Sequence, residues 1–208
     1  MQATIEAVND GILPSDETTL ATLTDQSQRL HRLVGDLSAV SRAEERQLNL
    51  DPVMVSIQDL LSEVVAGARP RFEAKGVNLN ADEGAGGGQV LVDPDRLTEA
   101  LGALLDNALR HTDKGGAVII SATRHDNRCR IALTDTGDGF DPDIAGQLFE
   151  RFYRGDSSRT VNGAGSGIGL TIAKAIIEAH HGQLRAHSDG PGTGASFEIT
   201  LPMVSRGR

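Results

Sequence analysis

Four glycines at alternate positions, Gly163, Gly165, Gly167 and Gly169, stand in NGAGSGIGL immediately before an apolar helical pattern. This loop-to-helix junction constrains the chain most. Backbone N–H groups in such a loop can point at anionic oxygens, and the helix start adds roughly half a positive charge. The segment is not a Walker A loop, because no Gly-Lys-Ser/Thr follows and no strand immediately precedes it. The preceding residues, Asp156 to Asn162, are polar and without periodicity, as a flexible lid would be. A glycine-rich loop is weak evidence by itself, so the rest of the chain must decide.

Alternation and helical periodicity divide the chain. Residues 1–46 read as a helical hairpin. A short opening segment ends in NDGILPSD, and a second helix carries a heptad seam of Leu20, Leu23, Ser27, Leu30, Val34, Leu37 and Ser41. That seam needs a partner, so the hairpin is expected to dimerise or to join a longer helix. Residues 47–52 form a linker. From residue 53 to residue 204 the pattern is one domain. It reads as strand Val53–Val55, helix Ile57–Lys75, strand Val77–Ala81, the GAGGG loop at 84–88 and strand Val90–Val92. Helix Asp93–His111 follows, then strands Ala117–Thr123 and Arg128–Thr134. After an irregular stretch come helix Gly167–His181 and strands Gln183–His187 and Ala195–Leu201. Mixed strands and helices in one unit predict an α+β fold, a two-layer sandwich with helices on one face of a mixed sheet.

The net charge of −9 argues against a nucleic-acid surface, which needs clustered Lys and Arg. One cysteine, Cys129, excludes an internal disulfide and suits a reducing cytosol. No apolar run approaches the roughly 18–20 residues of a membrane-crossing helix.

Three further segments carry candidate chemistry. In LLDNALRHT (104–112) Asn107 and Arg110 share a helix face, as a metal and phosphate site would require. An amphipathic helix with a polar stripe would look the same. In DTGDGF (135–140) Asp135 ends an alternating strand and can accept a hydrogen bond from an exocyclic amine. Gly137 and Gly139 permit positive φ and close approach of a planar base; an ordinary turn uses the same residues. LFERFYRG (148–155) gathers Phe149, Phe152 and Tyr153, half of a scarce set of aromatics. That suggests either a packed hinge beside a mobile segment or a simple loop anchor.

In order and spacing, LLDNALRHT, DTGDGF, LFERFYRG, GAGSGIGL and GPGTGASFEITLP resemble the N box, first glycine box, F box, second glycine box and final glycine segment of sensor histidine kinases. The hairpin, ending in DLSAVSRAE, resembles their dimerisation and phosphotransfer region. The resemblance implies the Bergerat ATP-binding fold with ATP and Mg²⁺ as ligands. It implies that Asn107 coordinates Mg²⁺, Arg110 contacts phosphate and His111 lies near the nucleotide. Asp135 would bind the adenine amino group, supported by Gly137 and Gly139. Arg154 would reach the terminal phosphate, the amides of Gly165, Ser166, Gly167, Ile168, Gly169 and Leu170 would cradle the phosphates, and Ser196 would place a hydroxyl near adenine.

It further implies transfer of the ATP γ-phosphoryl group to a histidine and relay to a response-regulator receiver domain. The chain would be cytoplasmic and the whole kinase anchored in the inner membrane. Two departures stand out. Ala103 occupies the position of a second N-box Asn, which implies weaker Mg²⁺ binding, and Ala164 stands where glycine is common. None of the six histidines has the context of a phosphoacceptor; His31 lies on the wrong hairpin helix, and His180 and His181 read as helix-closing residues whose charge suits the dipole. The acceptor is therefore expected from a missing segment or from another chain, with a cropped sequence favoured over a split kinase, and homodimerisation through the hairpin is expected to be weakened. The alternative is an ATP-binding, non-transferring dimerisation partner. An anti-sigma-factor-type serine kinase fits the hairpin and FERFYRG poorly, and a gyrase- or Hsp90-type ATPase typically has Glu where Ala103 stands.

Overall fold

The computed structural model describes residues 49–82, 88–150, 153 and 167–203. The expected hairpin, and Arg154, Gly165 and Ser166, lie outside the described residues. Within them, the order is β1 (Val53–Ser56), α1 (Ile57–Lys75), β2 (Asn78–Asp82), β3 (Gln89–Val92), α2 (Pro94–His111), β4 (Ala117–His125), β5 (Arg128–Asp135), α3 (Gly169–Ala179), β6 (Gln183–His187) and β7 (Ala195–Pro202). Two 3-10 turns, Pro142–Ile144 and Gln147–Phe149, lie between β5 and α3.

β2, β4, β5, β7 and β6 form one sheet in that spatial order. β2 runs parallel to β4, and the other neighbours are antiparallel. Antiparallel β1 and β3 make a separate two-stranded sheet, tied to the end of β7 by a bridge between Val90 and Met203. Strand pleating puts alternate residues on opposite faces. Val118, Ile120, Ile131, Leu133, Phe197 and Ile199 are buried, while Ile119 is 47% exposed on the other face. The buried face packs against Leu60, Val64 and Phe72 of α1, Leu101 and Leu104 of α2, and Ile172 and Ile176 of α3. The result is the expected two-layer α/β sandwich with a mixed sheet.

Local chemistry sets the element ends. α1 starts at Ser56, whose side chain accepts from the Asp59 amide, and stops at Gly76 in the left-handed region (φ +73°). α2 starts at Asp93, whose side chain accepts from the Arg96 amide, with Pro94 at the first helical position. α3 is shorter than its sequence pattern at both ends. Gly167 (φ +70°) and His181 (φ +58°) are left-handed and cannot continue a right-handed helix.

The C-terminus of α3 is fixed differently from the expected charge–dipole contact. His180 is buried; its Nδ1–H donates to the Ile176 carbonyl (2.8 Å), and its Nε2 accepts from the Asp93 amide (2.9 Å). Accepting at Nε2 and donating at Nδ1 describes a neutral ring, so this histidine works as a hydrogen-bond bridge and not as a cation. Asp93 in turn accepts from the amide of Asp51 (3.0 Å), joining the start of the domain, the head of α2 and the foot of α3.

Candidate nucleotide site

The site is built where β5 ends. Asp135 is only 3% exposed. Its Oδ1 accepts from the amides of Gly137 (2.9 Å) and Ala195 (3.2 Å). Among the described residues nothing bonds Oδ2. One carboxylate oxygen is therefore held by the fold, and the other is uncommitted among the described residues. Burial raises the Asp135 carboxyl above its ordinary pKa; the Gly137 and Ala195 amides and His111 oppose the shift, and Asp138 adds to it.

The loop after Asp135 is clamped from two sides. The amide of Asp138 donates to the His111 carbonyl (3.0 Å), and Asp138 Oδ2 lies 3.1 Å from His111 Nδ1. On the other side Gly194 donates to the Gly137 carbonyl (3.1 Å), and Gly192 donates to that of Asp138. Ser188 was not expected in the site but organises it. Its buried Oγ accepts from the Phe140 amide (3.1 Å) and donates to the Gly194 carbonyl (2.7 Å). No sequence signal distinguishes this serine from any other at a strand end.

The expected positive φ holds at one of the two glycines, and packing explains both. Only Gly139 has positive φ (+62°); Gly137 does not. A Cβ on Gly137 would stand 2.2 Å from the His111 carbonyl oxygen, and one on Gly139 would stand 2.3 Å from that of Gly190. Both glycines let the loop press against its neighbours, so in the protein alone protein backbone fills the space of the missing side chains.

Ser196 is not brought to the site. The register pairs Asp135 with Ala195 and Thr134 with Ser196. The pleat thus puts Ser196 on the face opposite Asp135, where its Oγ lies 3.4 Å from that of Thr134. The residue beside the carboxylate is Ala195, which contributes an amide and no hydroxyl.

Asn107 is half-buried on α2, and its side chain bonds no described residue; Arg110, one turn on, is exposed at the surface. Lys75 secures this end of α2 by donating to the carbonyls of Leu109 (2.6 Å) and Arg110 (3.0 Å). The start of α3 lies against the same helix. A Cβ at Gly169 would be 3.8 Å from that of Ala103, one turn before Asn107. In contrast to α1 and α2, α3 has no side-chain cap among the described residues, which leaves its first amides suited to an anion. Gly167, Ile168, Gly169 and Leu170 are therefore placed at the head of α3, beside the Asn107 helix. A hollow lined by His125, Arg128, Arg130 and Thr200 lies at the other end of β5 and has no part in this arrangement.

A carboxylate with one uncommitted oxygen suits an exocyclic amine, and an uncapped helix start suits phosphate. A single carboxamide suits Mg²⁺, which keeps several waters and binds through substrate phosphates. The residues present thus fit a magnesium–nucleotide.

Comparison with known proteins gives the family. Residues 92–205 match the family described as histidine kinase-, DNA gyrase B- and HSP90-like ATPase. The chain is 38% identical to the signal transduction histidine-protein kinase BaeS of Escherichia coli, over 98% of this chain and 43% of that protein. It is 33% identical to the sensor protein SrrB of Staphylococcus aureus, over 97% of this chain and 35% of that one. The chain therefore spans less than half the length of these curated relatives. Among solved structures, the histidine kinase AdeS of Acinetobacter baumannii superposes with a TM-score of 0.79 at 25% identity, covering 98% of this chain and 93% of that one. Full-length ShkA in complex with AMPPNP gives 0.79 at 26% identity, covering 94% and 40%. The chain belongs to the histidine kinase-, DNA gyrase B- and HSP90-like ATPase family and, within it, is a homologue of the sensor histidine kinases.

Proposed function

We propose that this chain is the ATP-binding catalytic portion of a sensor histidine kinase, delivering the γ-phosphoryl group of ATP to a histidine supplied from outside the residues given. The observation that carries the reading is the Asp135 carboxylate, buried and held by two amides through one oxygen. The adenine amino group donates to Oδ2, which fixes the base. The phosphates meet the head of α3, where unpaired amides and the helix dipole favour negative charge. Asn107, one turn after Ala103 on the same helix, would supply one ligand to Mg²⁺, which would neutralise phosphate charge. Arg110 and Arg154 contact the phosphates. With little covalent chemistry for the protein to perform, its work is positioning and charge neutralisation.

The solved ShkA complex contains AMPPNP, an ATP analogue, which supports ATP as the ligand here. A solved complex of the kinase ThkA with the response regulator TrrA shares this fold, and we assign a receiver domain as the downstream partner. Among the described residues no helix is long and apolar enough to cross a membrane. The sensor and membrane anchor of the full kinase, and a homodimer formed through the 1–46 hairpin, belong to the same reading. None of the histidines given stands in an acceptor context, so the isolated chain is proposed to bind ATP without phosphorylating itself on histidine.

Incubation with γ-labelled Mg·ATP tests this, alone and with an added helical hairpin bearing an acceptor histidine from a relative such as BaeS. The expected outcome is no label on the chain alone and acid-labile, base-stable label on the added hairpin. Acid-labile label on the isolated chain would contradict the self-phosphorylation claim. ATP binding without transfer to any hairpin would favour the non-transferring partner instead.

A further inference from the structure

Phe149 and Thr171 are 22 residues apart, yet the Thr171 hydroxyl donates to the Phe149 carbonyl at 2.9 Å. Phe149 closes the 3-10 turn Gln147–Phe149 and is 8% exposed. Its ring faces the Lys174 ammonium, 5.4 Å from the ring centre. Thr171 and Lys174 are three residues apart on α3, so they occupy one face of its first two turns. Two contacts of different kinds therefore fasten the same phenylalanine to the same helix face. A threonine hydroxyl in a helix can satisfy itself on its own helix, on a carbonyl three or four residues back. This one reaches across to another segment.

The place of the fastening gives it consequence. Thr171 lies in the uncapped first turn of α3, whose amides have no intrahelical partner. On the other side of the clip, the Glu150 amide donates to the Gln147 carbonyl (2.9 Å) and the Tyr153 amide to that of Glu150 (3.3 Å). The Phe149 turn and the first turn of α3 are thus joined at one point.

We propose that Thr171 is a positioning residue for the phosphate end of the bound nucleotide, its hydroxyl fixing the first turn of α3 against the Phe149 turn. This rests on the ATP-binding reading above. Thr171 acts through the backbone it holds and does not touch the adenine end, where Asp135 on β5 does the holding. Loss of the hydroxyl should therefore weaken ligands in proportion to their phosphates.

The test compares parent, Thr171→Val and Thr171→Ser for affinity toward Mg·ATP, ADP and adenosine, by calorimetry and NMR shift titration, with folding checked by circular dichroism. Valine keeps the shape and removes the donor. One neutral hydrogen bond is worth about a factor of five to ten in a binding constant. We expect Thr171→Val to bind Mg·ATP about five- to tenfold more weakly and adenosine within about twofold of the parent, with Thr171→Ser near the parent throughout. Equal loss for ATP and adenosine, or no loss for either, would overturn the proposal while leaving the nucleotide site intact. If the valine variant does not fold, Thr171→Ala takes its place with the same two ligands. Failure of the parent to bind any of the three would overturn the ATP reading itself.

Discussion

Asp135 shows at the scale of one residue how fold and function divide a side chain between them. Oδ1 serves the protein, accepting two amides that hold the loop and β7 together. Oδ2 is the oxygen proposed to meet the ligand. The carboxyl lies above its ordinary pKa, first because of burial, so the folded protein holds this proton more tightly than the unfolded chain. The sign follows. Any stability gained from the raised pKa is present below the unfolded value of 3.8 and lost as pH rises through the folded one, where the buried charge must stand alone. A donor on the ligand relieves that charge, so binding should favour the ionised form. Adenosine affinity is expected to fall as pH drops through the raised pKa and to be level above it. Adenosine serves better than ATP because it has no phosphate titrating nearby. NMR titration of adenosine from neutral pH down toward the ordinary carboxylate range checks this, and an affinity that rises on acidification would contradict it. Cys129 is the opposite kind of residue. Its thiol is fully buried and pushed up to about 11 by burial, which makes it a small apolar core group.

The elements around the site were legible in unequal degree. The alternation of Val118, Ile120 and Ala122, and of Cys129, Ile131 and Leu133, specifies β4 and β5 because each buries one face only. The N box was readable because a polar pair stands out on an apolar helix. The error at Ser196 has a simple cause. Side chains in a strand alternate, and a one-residue offset in reading which position faces Asp135 moves the hydroxyl to the other face. The roles of Gly137 and Gly139 could not be read locally, since the atoms they avoid belong to His111 and Gly190, distant in sequence. The same holds for the bridge from Asp51 through Asp93 to His180. Burial tends to raise the Asp93 carboxyl, but the amides of Asp51, Arg96 and Asp95 outweigh it and leave the pKa below the ordinary 3.8. Such a group contributes stability that is present above 3.8 and lost as pH falls through the lower folded value. Asp93→Asn is therefore expected to destabilise at neutral pH by about 1 kcal/mol, the scale of a weakened cap, and by less as pH approaches 3. Urea unfolding at both pH values measures this; a pH-independent difference would remove the electrostatic part of the account.

At the scale of the whole molecule, the sheet gives a rigid floor and the loops at the end of β5 and the head of α3 are its working edge. One helix, α2, spans both parts of the candidate site: His111 closes against the loop after Asp135, and Ala103 lies beside Gly169 at the head of α3. This geometry explains how motifs separated by dozens of residues act together, and it also gives Ala103 its meaning. A longer amide at that position would lie beside the first amides of α3, so its absence leaves Asn107 as the N-box carboxamide near the phosphates. The order of the glycine and asparagine segments was sufficient to anticipate this family, whereas the packing that makes the site rigid became visible only with tertiary contacts. The central claim is that a nucleotide is bound through Asp135. Calorimetric titration of Mg·ATP into the parent chain and into Asp135→Asn tests it most directly. Asparagine can still accept both amides through its carbonyl oxygen, but it turns a donor toward the adenine amino group, so its fold should persist while binding fails. Micromolar-range binding is expected of the parent, with a loss of about a hundredfold or more in the variant, the order expected when a site built to pair a polar group is mismatched. Equal affinity in the two, with both folded, would contradict it.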